Sequence, residues 1–357
     1  MKIFWPVSAI QHLLLIIGVA SLTGCATNRA PSNPATPQND TSATTQSSQT
    51  AESSNTVNTT TKPNRKITKA LRVQGHLSDT RLNEVSGLAS SILDSNRLWA
   101  INDSGNRAEL FAINRQAAFS QVWQVAVSNR DWEAMASTSI GGVPYLLIAD
   151  TGDNLAVHAE YRLHLIEEPD KDTTPNKPLI PAATIRFNYP DGSHNVEAIA
   201  VSGLDVYLLT KERLSNKTSV PSRIYRLALQ WDNTDAVQTA VLLGLVQMPK
   251  RNWKVGLLTR LLNIDPIQPT DLVISADNNH AYVLNYVHVL HYERFANETW
   301  PQALAKQPNI LHSHGLRQAE ALTITADGNV WITSEKAGAR LLAFTGVQSS
   351  KASRVSP

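Results

Sequence analysis

The stretch Asn195-Val-Glu-Ala-Ile-Ala-Val201, followed by the apolar run VYLLTK at 206–211, decides the fold because this pair of segments recurs along the chain. Four further segments place an acid before small and aliphatic residues, at 83–89, 131–137, 269–275 and 318–324. The second apolar runs that follow them occupy residues 98–103, 145–150, 282–286 and 330–335. β-Branched and aromatic residues are frequent in these runs, which predicts five pairs of β-strands.

A third and a fourth strand are predicted after these pairs. Third strands are expected at 109–113, 161–166, 223–227, 289–292 and 340–344, and fourth strands at 120–127, 184–189, 240–247 and 310–315. The last repeat lacks a fourth strand, whereas residues 70–77 (ALRVQGHL) precede the first repeat without a partner. Pairing of these two chain ends would close a ring and remove the exposed sheet edge.

The sequence therefore predicts an all-β protein, a single β-propeller of four-stranded antiparallel blades across residues 67–347. Five blades are counted. A sixth, degenerate blade is the alternative, and it would lie in the insertion at residues 250–266. The same insertion contains the basic and apolar stretch KVGLLTRLL, which is also compatible with a short amphipathic helix that touches lipid or a partner, or that packs beneath the propeller.

The N-terminus has the features of a bacterial lipoprotein signal, which is predicted over residues 1–24. Lys2 supplies positive charge, and the apolar run LLLIIGVA at 13–20 is too short to span a bilayer. The following Leu22-Thr23-Gly24-Cys25 resembles a lipobox, in which the cysteine thiol takes a diacylglyceryl group. Cys25 is the only cysteine of the chain, so no disulfide is expected.

Residues 25–66 are predicted to be the lipidated cysteine followed by a disordered tether, because Ser, Thr, Asn, Gln, Pro and Ala dominate and aliphatic residues are scarce. Residues 348–357 are expected to form a flexible tail. Ala26 stands after the cysteine where an aspartate would favour inner-membrane retention. We therefore expect an exported protein, lipid-anchored at the outer membrane if the host is Gram-negative, that faces the periplasm or the exterior.

Antiparallel pairing brings the start of each first strand and the end of each second strand to one face of the propeller. Because the first strands line the central channel, the residues at these points should surround its mouth. The acids at the starts of the first strands are Glu84, Glu133, Glu197, Asp271 and Glu320. The residues at the ends of the second strands are Asp103, Asp150, Lys211, Asn285 and Glu335.

Converging carboxylates repel one another where the channel walls lower the dielectric constant, so a neutralising group is expected. Calcium is one candidate, and the turns after the first two second strands offer oxygen ligands from Asp103, Asp150, Asp153 and Asn154. Internal pairing with Lys211, Arg213, Arg317 or Lys336 is the second candidate. In the third, each acid accepts backbone N–H groups at a blade junction and no ligand is bound.

The acid-led first strands and the ADTGDN loop at 149–154 resemble bacterial secreted β-propellers of poorly defined function. They are distantly similar to the calcium-dependent β-propeller phytases and esterase-like phytase domains, over about residues 70–345. This resemblance implies an acidic, calcium-loaded channel mouth that binds a phosphate ester and activates water. By position, Lys211 matches a phosphate contact, and the acidic role is matched by Glu84, Glu133, Glu197 and Glu320.

Two classes of function follow. The first is a non-catalytic, lipid-tethered binding or scaffold module for an envelope protein, peptide or glycan, with calcium at the mouth as an option. The alternative is a calcium-dependent hydrolase of phosphate esters or lactones, in which Glu133, Glu197 and Lys211 are the catalytic candidates.

Serine-hydrolase, P-loop and zincin motifs are absent from the sequence. The 32 basic and 30 acidic residues are scattered, so no nucleic-acid partner is expected. The protein is expected to be a monomer.

Overall fold

The computed structural model describes residues 70–216, 218–230, 236–251, 253–262 and 264–347. Five sheets are arranged in a ring, and the first strand of each sheet contacts the first strands of its two neighbours. The prediction of an all-β propeller with five blades is confirmed. The predictions for the signal at 1–24, for Cys25 and the rest of 25–66, and for the tail at 348–357 lie outside the described residues.

Each blade has four antiparallel strands, and in every blade except the last the strand nearest the ring axis comes first along the chain. Blades 1 to 3 contain β2 (Val85–Ser90), β3 (Arg97–Asn102), β4 (Glu109–Asn114), β5 (Phe119–Gln124), β6 (Trp132–Ile140), β7 (Val143–Asp150), β8 (Tyr161–Glu167), β9 (Ala183–Asn188), β10 (Val196–Ser202), β11 (Asp205–Thr210), β12 (Arg223–Ala228) and β14 (Val241–Leu245). Blades 4 and 5 contain β15 (Asp271–Ile274), β16 (His280–Leu284), β17 (His288–Glu293), β18 (Asn309–Ser313), β19 (Ala319–Ile324), β20 (Asn329–Ser334), β21 (Arg340–Thr345) and β1 (Arg72–His76). Blade 2 gains a fifth strand, β13 (Val237–Thr239), which pairs parallel with β9.

Both chain ends contribute to blade 5. Strand β1 pairs antiparallel with β21, with Arg72 opposite Ala343 and His76 opposite Arg340. It supplies the outer strand that the last repeat lacks, as the strand count predicts. The ring is therefore closed by hydrogen bonds between the first and the last strand of the described chain.

The insertion between blades 3 and 4 folds as a helix. Helix α1 (Trp253–Leu262) is the only regular element in the described part of residues 250–266, so the sixth-blade alternative is wrong. A second helix, α2 (Trp300–Leu304), lies between β17 and β18 in blade 4. No helix among the described residues has both the length and the apolar character needed to cross a bilayer.

Five hydrophobic clusters hold the ring together, one at each junction between neighbouring blades. At the junction of blades 2 and 3, for example, Leu147 and Phe187 pack in one cluster with Leu208 and Tyr225. Each sheet thus buries both of its faces. This explains why the second strands are continuous apolar runs and do not alternate between apolar and polar residues.

A β-bulge near the start of four of the first strands sets which side chains reach the channel mouth. The register shifts lie between Val85 and Gly87, Trp132 and Ala134, Val196 and Ala198, and Ala319 and Ala321. Bulges redirect a side chain out of the regular alternation of a strand. The residues redirected in this way are Ser86, Glu133, Glu197 and Glu320.

Candidate functional site at the channel mouth

Two positions in each blade lie at the channel mouth. One is the bulged residue of the first strand or its equivalent, which is Ser86, Glu133, Glu197, Asp271 and Glu320 in blades 1 to 5. The other is the residue that follows the second strand, which is Asp103, Thr151, Lys211, Asn285 and Glu335. Mutual electrostatic effects show that six of these side chains are close neighbours, namely Asp103, Glu133, Glu197, Lys211, Glu320 and Glu335.

The register of the bulges moves Glu84 out of the set in which the sequence places it. Ser86 is the bulged residue of blade 1, so Glu84 takes the place that Asp131 has in blade 2, two residues before the bulge. Glu84 Oε2 accepts a hydrogen bond of 2.7 Å from Asn106 Nδ2. An acid followed by aliphatic residues therefore marks two different positions, and the sequence alone does not separate them.

Asp150 lies one residue before the position at the channel mouth where the sequence places it. It pairs with Trp132 inside β7, and Thr151 follows the strand in its place. Because successive side chains of a strand point to opposite sides, this difference directs Asp150 towards other partners. Its Oδ1 accepts the backbone N–H of Asp131 at 2.8 Å, and its oxygens lie 3.7–3.8 Å from nitrogens of Arg130, Arg162 and His164. Burial raises the pKa of Asp150, but the nearby imidazole of His164, the backbone N–H of Asp131 and the charge of Arg130 outweigh burial and lower it.

The other two residues of the ADTGDN loop also bind protein groups. Asp153 accepts hydrogen bonds of 2.8–2.9 Å from the backbone N–H groups of Val157 and His158 and from the hydroxyl of Tyr161. Asn154 is exposed, and its Oδ1 lies 3.4 Å from Asn195 Nδ2. The structure therefore does not bring Asp150, Asp153 and Asn154 together with Asp103 as one ligand set.

A different acidic cluster forms at the junction of blades 1 and 2. Asp103, Asp131 and Glu133 each place one carboxylate oxygen within 4.8 Å of those of the other two. Burial raises the pKa of Asp103 and of Glu133 well above their ordinary values, and repulsion from neighbouring acids, including Asp131, raises both further. Burial also raises the pKa of Asp131, although hydrogen bonds with Ser104 and Asp103 partly oppose this. The cluster holds three acids that resist ionisation.

Gly152 provides the space that two of these acids occupy. A Cβ atom at this position would lie 2.3 Å from Asp131 Oδ2 and 2.4 Å from Glu133 Oε1. The backbone N–H groups of Thr151 and Gly152 both donate to the carbonyl oxygen of Asp131 at 3.1 Å. The glycine of the ADTGDN loop thus allows the main chain to pass directly against the carboxylates.

Lys211 is the centre of a second group of side chains, from blades 3, 4 and 5. Its Nζ donates to Glu197 Oε2 and, at 2.8 Å, to the hydroxyl of Tyr286, and it lies 3.6 Å from Glu320 Oε1. The Tyr286 hydroxyl in turn donates to Glu320 Oε1 at 2.6 Å. The positive charge of Lys211 is therefore shared between two buried carboxylates, Glu197 and Glu320.

Two acids of the mouth have strongly altered proton affinities. Burial raises the pKa of Glu197 to about 7, although the attraction of Lys211 opposes the shift. Burial also raises the pKa of Glu335, and the charge and hydrogen bond of Glu320 add to this, so that the value reaches about 11. Glu197 can therefore gain or lose a proton near neutral pH, which is the property required of a general base.

Asp271 has an architectural position. It is fully buried, and its carboxylate accepts the backbone N–H of Leu272 at 2.8 Å and that of Leu322 at 2.6 Å. Leu322 belongs to β19, so these bonds link blade 4 to blade 5. Of the five acids predicted to surround the mouth, Asp271 is the one whose contacts match the backbone-bonding alternative.

Three residues at the channel mouth were not among the predicted site residues. Asp131 stands two residues before Glu133, where only the bulge reveals that both carboxylates reach one point. Tyr286 occupies a turn after β16, and its hydroxyl was not recognisable as a partner of Lys211. Gly152 lies between two aspartates of a turn, where a glycine is ordinarily explained by backbone conformation alone.

Replacement of Gly152 by alanine is expected to lower the free energy of unfolding by about 1–3 kcal/mol, because the new methyl group would overlap Asp131 and Glu133. Urea denaturation of both proteins measures the difference. Gly256→Ala is the comparison, since a Cβ there meets no atom within 4 Å and alanine favours the helix α1 that contains it, so this variant should be at least as stable as the unaltered protein. Stability of Gly152→Ala equal to that of the unaltered protein would show that the ADTGDN loop adjusts without cost.

Comparison with known proteins adds little beyond the fold. No family model matches the chain, and no curated protein matches it significantly. One similar solved structure is a PQQ-bound aldose sugar dehydrogenase from Streptomyces coelicolor, with 10% identity, 77% of this chain and 98% of that chain covered, and a TM-score of 0.43. Another is a luciferin-regenerating enzyme, with 8% identity, coverage of 78% and 95%, and a TM-score of 0.41. The assignment of the fold rests on the blade topology.

Proposed function

We propose that this protein is a lipid-anchored, extracytoplasmic binding module whose channel mouth holds calcium through Asp103, Asp131 and Glu133. Glu133 carries the proposal. Its side chain is only 4% exposed, and its carboxylate lies among those of Asp103 and Asp131, while Lys211, the cation that acts on it, is bound to Glu197 and Tyr286. A buried carboxylate beside other carboxylates costs several kcal/mol, and a cation bound beside it would offset that cost.

The donor set suits a hard divalent cation. Calcium binds oxygen ligands at 2.3–2.6 Å, so two oxygens on opposite sides of the ion are about 5 Å apart. The three carboxylate oxygens of the cluster lie within 4.8 Å of one another and are therefore close enough to contact one ion. Magnesium requires a stricter octahedral geometry, whereas three carboxylates from two loops and a bulged strand suit calcium.

Lipid attachment at Cys25 and the outer membrane as destination are part of the proposal. The lipobox Leu22-Thr23-Gly24-Cys25 and the absence of aspartate after the cysteine support them. A calcium ion held by three protein ligands keeps positions open for oxygens from elsewhere. The ligand class that fits is an anionic group on an envelope protein, peptide or glycan.

Thermal unfolding of the lipid-free chain in calcium, in magnesium and in a chelator tests the calcium site. Calcium at about 100 times its dissociation constant is expected to add roughly 2.7 kcal/mol, which raises the Tm by about 5–10 °C. Asp131→Asn should remove most of this rise. Asn154→Ala should keep it, because Asn154 is exposed and lies outside the cluster. An equal response to magnesium, or none to calcium, would refute the site.

Hydrolysis of a phosphate ester or lactone is the second candidate function, and Glu197 is the observation in its favour. Its pKa of about 7 suits a general base, and Lys211, which the phytase resemblance matches to a phosphate contact, lies beside it, bonded to Glu197 and Tyr286. Calcium-dependent release of nitrophenol from a phosphate monoester, or opening of a lactone, would demonstrate it. Glu197→Gln should then lower kcat by about 10²-fold or more without loss of calcium binding.

A further inference from the structure

Helix α1 presents two large apolar side chains to solvent. Trp253 is 74% exposed and Leu257 is 50% exposed, whereas Val255 and Thr259 on the same helix are buried. At 100° per residue, Trp253 and Leu257 lie within 40° of each other, and Val255 and Thr259 lie on the opposite side. The helix therefore packs on the propeller by one face and shows an apolar ridge on the other.

This ridge lies on the same face of the propeller as the channel mouth. In a blade whose first strand begins at the mouth, the fourth strand ends there, so the connection from β14 to β15 that contains α1 crosses the mouth face. Contacts at the base of the helix agree, because Arg251 Nη2 donates to Ser219 and Asp265, and Ser219 belongs to the loop between β11 and β12.

A second apolar projection stands on the same face. The loop between β7 and β8, which also belongs to the mouth face, exposes Leu155 and Val157. Arg213 from the β11–β12 loop donates to the carbonyl oxygen of Asn154 at 2.6 Å, so three loops are joined side by side around the mouth. Exposed apolar residues are common on proteins, and loops on the opposite face carry others, so exposure alone does not identify a contact surface. The mouth face differs in that two of its exposed apolar side chains form one ridge on a helix.

The helical insertion is basic. Residues 250–266 contain the four basic residues Lys250, Arg251, Lys254 and Arg260 and one acidic residue, Asp265, which pairs with Arg251. Lys250 and Arg251 are exposed. A short helix with an exposed tryptophan and leucine beside basic residues is typical of segments that lie in the headgroup region of an anionic bilayer.

The covalent length of the chain allows this contact. Residues 26–69 separate the lipid-attachment cysteine from the first described residue, and a chain of this length spans at most roughly 150 Å when extended. A domain of this size is far smaller than that, so any face of the propeller can reach the bilayer in which the lipid of Cys25 would be embedded.

We infer that α1 is a membrane-contact helix, which inserts Trp253 and Leu257 among the headgroups of an anionic phospholipid bilayer and turns the channel mouth towards that bilayer. The inference rests on the proposed lipid anchorage, since a propeller held near a membrane by lipid gains most from a second, weak contact. A ligand of the mouth would then be met at the membrane surface.

Sedimentation of the lipid-free chain 26–357 with vesicles tests this inference. The chain retains every strand of the ring, because β1 to β21 lie within residues 72–345. Binding is expected to vesicles of phosphatidylethanolamine with phosphatidylglycerol, to weaken in vesicles of phosphatidylcholine alone, and to fall as salt is raised. Trp253→Ala combined with Leu257→Ala should reduce the partition coefficient by about tenfold or more.

The pair Ile92 and Leu93 provides the matched control. These residues are 48% and 49% exposed in the loop between β2 and β3, on the face away from the mouth, so Ile92→Ala with Leu93→Ala should leave vesicle binding unchanged. Equal loss in both double variants, or no binding by the unaltered chain, would overturn the inference. All measurements are made in EGTA, so vesicle binding is tested without calcium. Absence of vesicle binding would therefore not count against the calcium site, and absence of calcium binding would not change the vesicle result.

Discussion

Replacement of Lys211 by methionine is expected to lower the free energy of unfolding at pH 7 by about 3–5 kcal/mol. The ammonium group holds Glu197 directly and lies 3.6 Å from Glu320, and both carboxylates are buried. Methionine preserves much of the aliphatic packing of the lysine stem but removes the charge, which leaves two neighbouring acids without a cation. Urea denaturation measures the loss, which should be smaller at pH 5, where the orphaned acids can take up protons.

A second substitution shows whether the loss comes from the charge. Lys211→Met combined with Glu197→Gln should recover part of the lost stability, because one of the two unpaired acids becomes neutral. Lys306→Met is the comparison for an exposed ion pair, since Lys306 pairs with Glu298 at the surface, and it should change stability far less. If Lys211→Met and Lys306→Met were equally mild, Lys211 would not neutralise the mouth acids.

The blades could be predicted because each strand carries its own local signal. Both faces of the sheets pack against neighbouring blades, so the second strands are uninterrupted apolar runs such as LWAI and YLLIA that stand out from the turns around them. The unpaired segment at 70–77 identified ring closure because a lone strand and a missing strand are complementary. The sequence did not decide whether residues 250–266 form a helix or a degenerate blade, because a short apolar stretch suits a buried strand as well as a helix.

The sequence predicted the positions of the residues at the channel mouth only to within one or two residues. That precision was insufficient to say which side chains share a site. Glu133, Glu197, Glu320 and Lys211 lie where the repeat places them. Asp150 and Glu84 do not, because a one-residue difference in strand length or a bulge at Ser86 changes which side chain faces the axis. Local sequence patterns identify strands but not bulges, so the residues that share a site depend on the register of the whole blade.

Glu133→Gln is expected to stabilise the calcium-free protein at pH 8 by about 2 kcal/mol and to remove most of the calcium response. Burial and neighbouring acids raise the pKa of Glu133 in the folded state, so the folded protein holds a proton that the unfolded chain releases. Stability therefore falls as the pH rises above the unfolded value, near 4.5, towards the folded value. Glutamine cannot ionise in either state, which removes this loss and also a calcium ligand.

The pH dependence separates this explanation from simple repacking. Below pH 4.5 Glu133 is neutral in both states, so the variant should gain little there, and its advantage should grow up to pH 8. Raised pKa values of Asp103 and Asp131, and the value of about 7 for Glu197, should leave a residual fall in stability with pH in the variant. Glu298→Gln is the control, because Lys306 lowers the pKa of Glu298 and neutralising it should bring no gain at pH 8. A gain from Glu133→Gln that is the same at pH 4 and pH 8 would mean that the carboxylate is not under electrostatic strain, and the calcium proposal would then lose its main support.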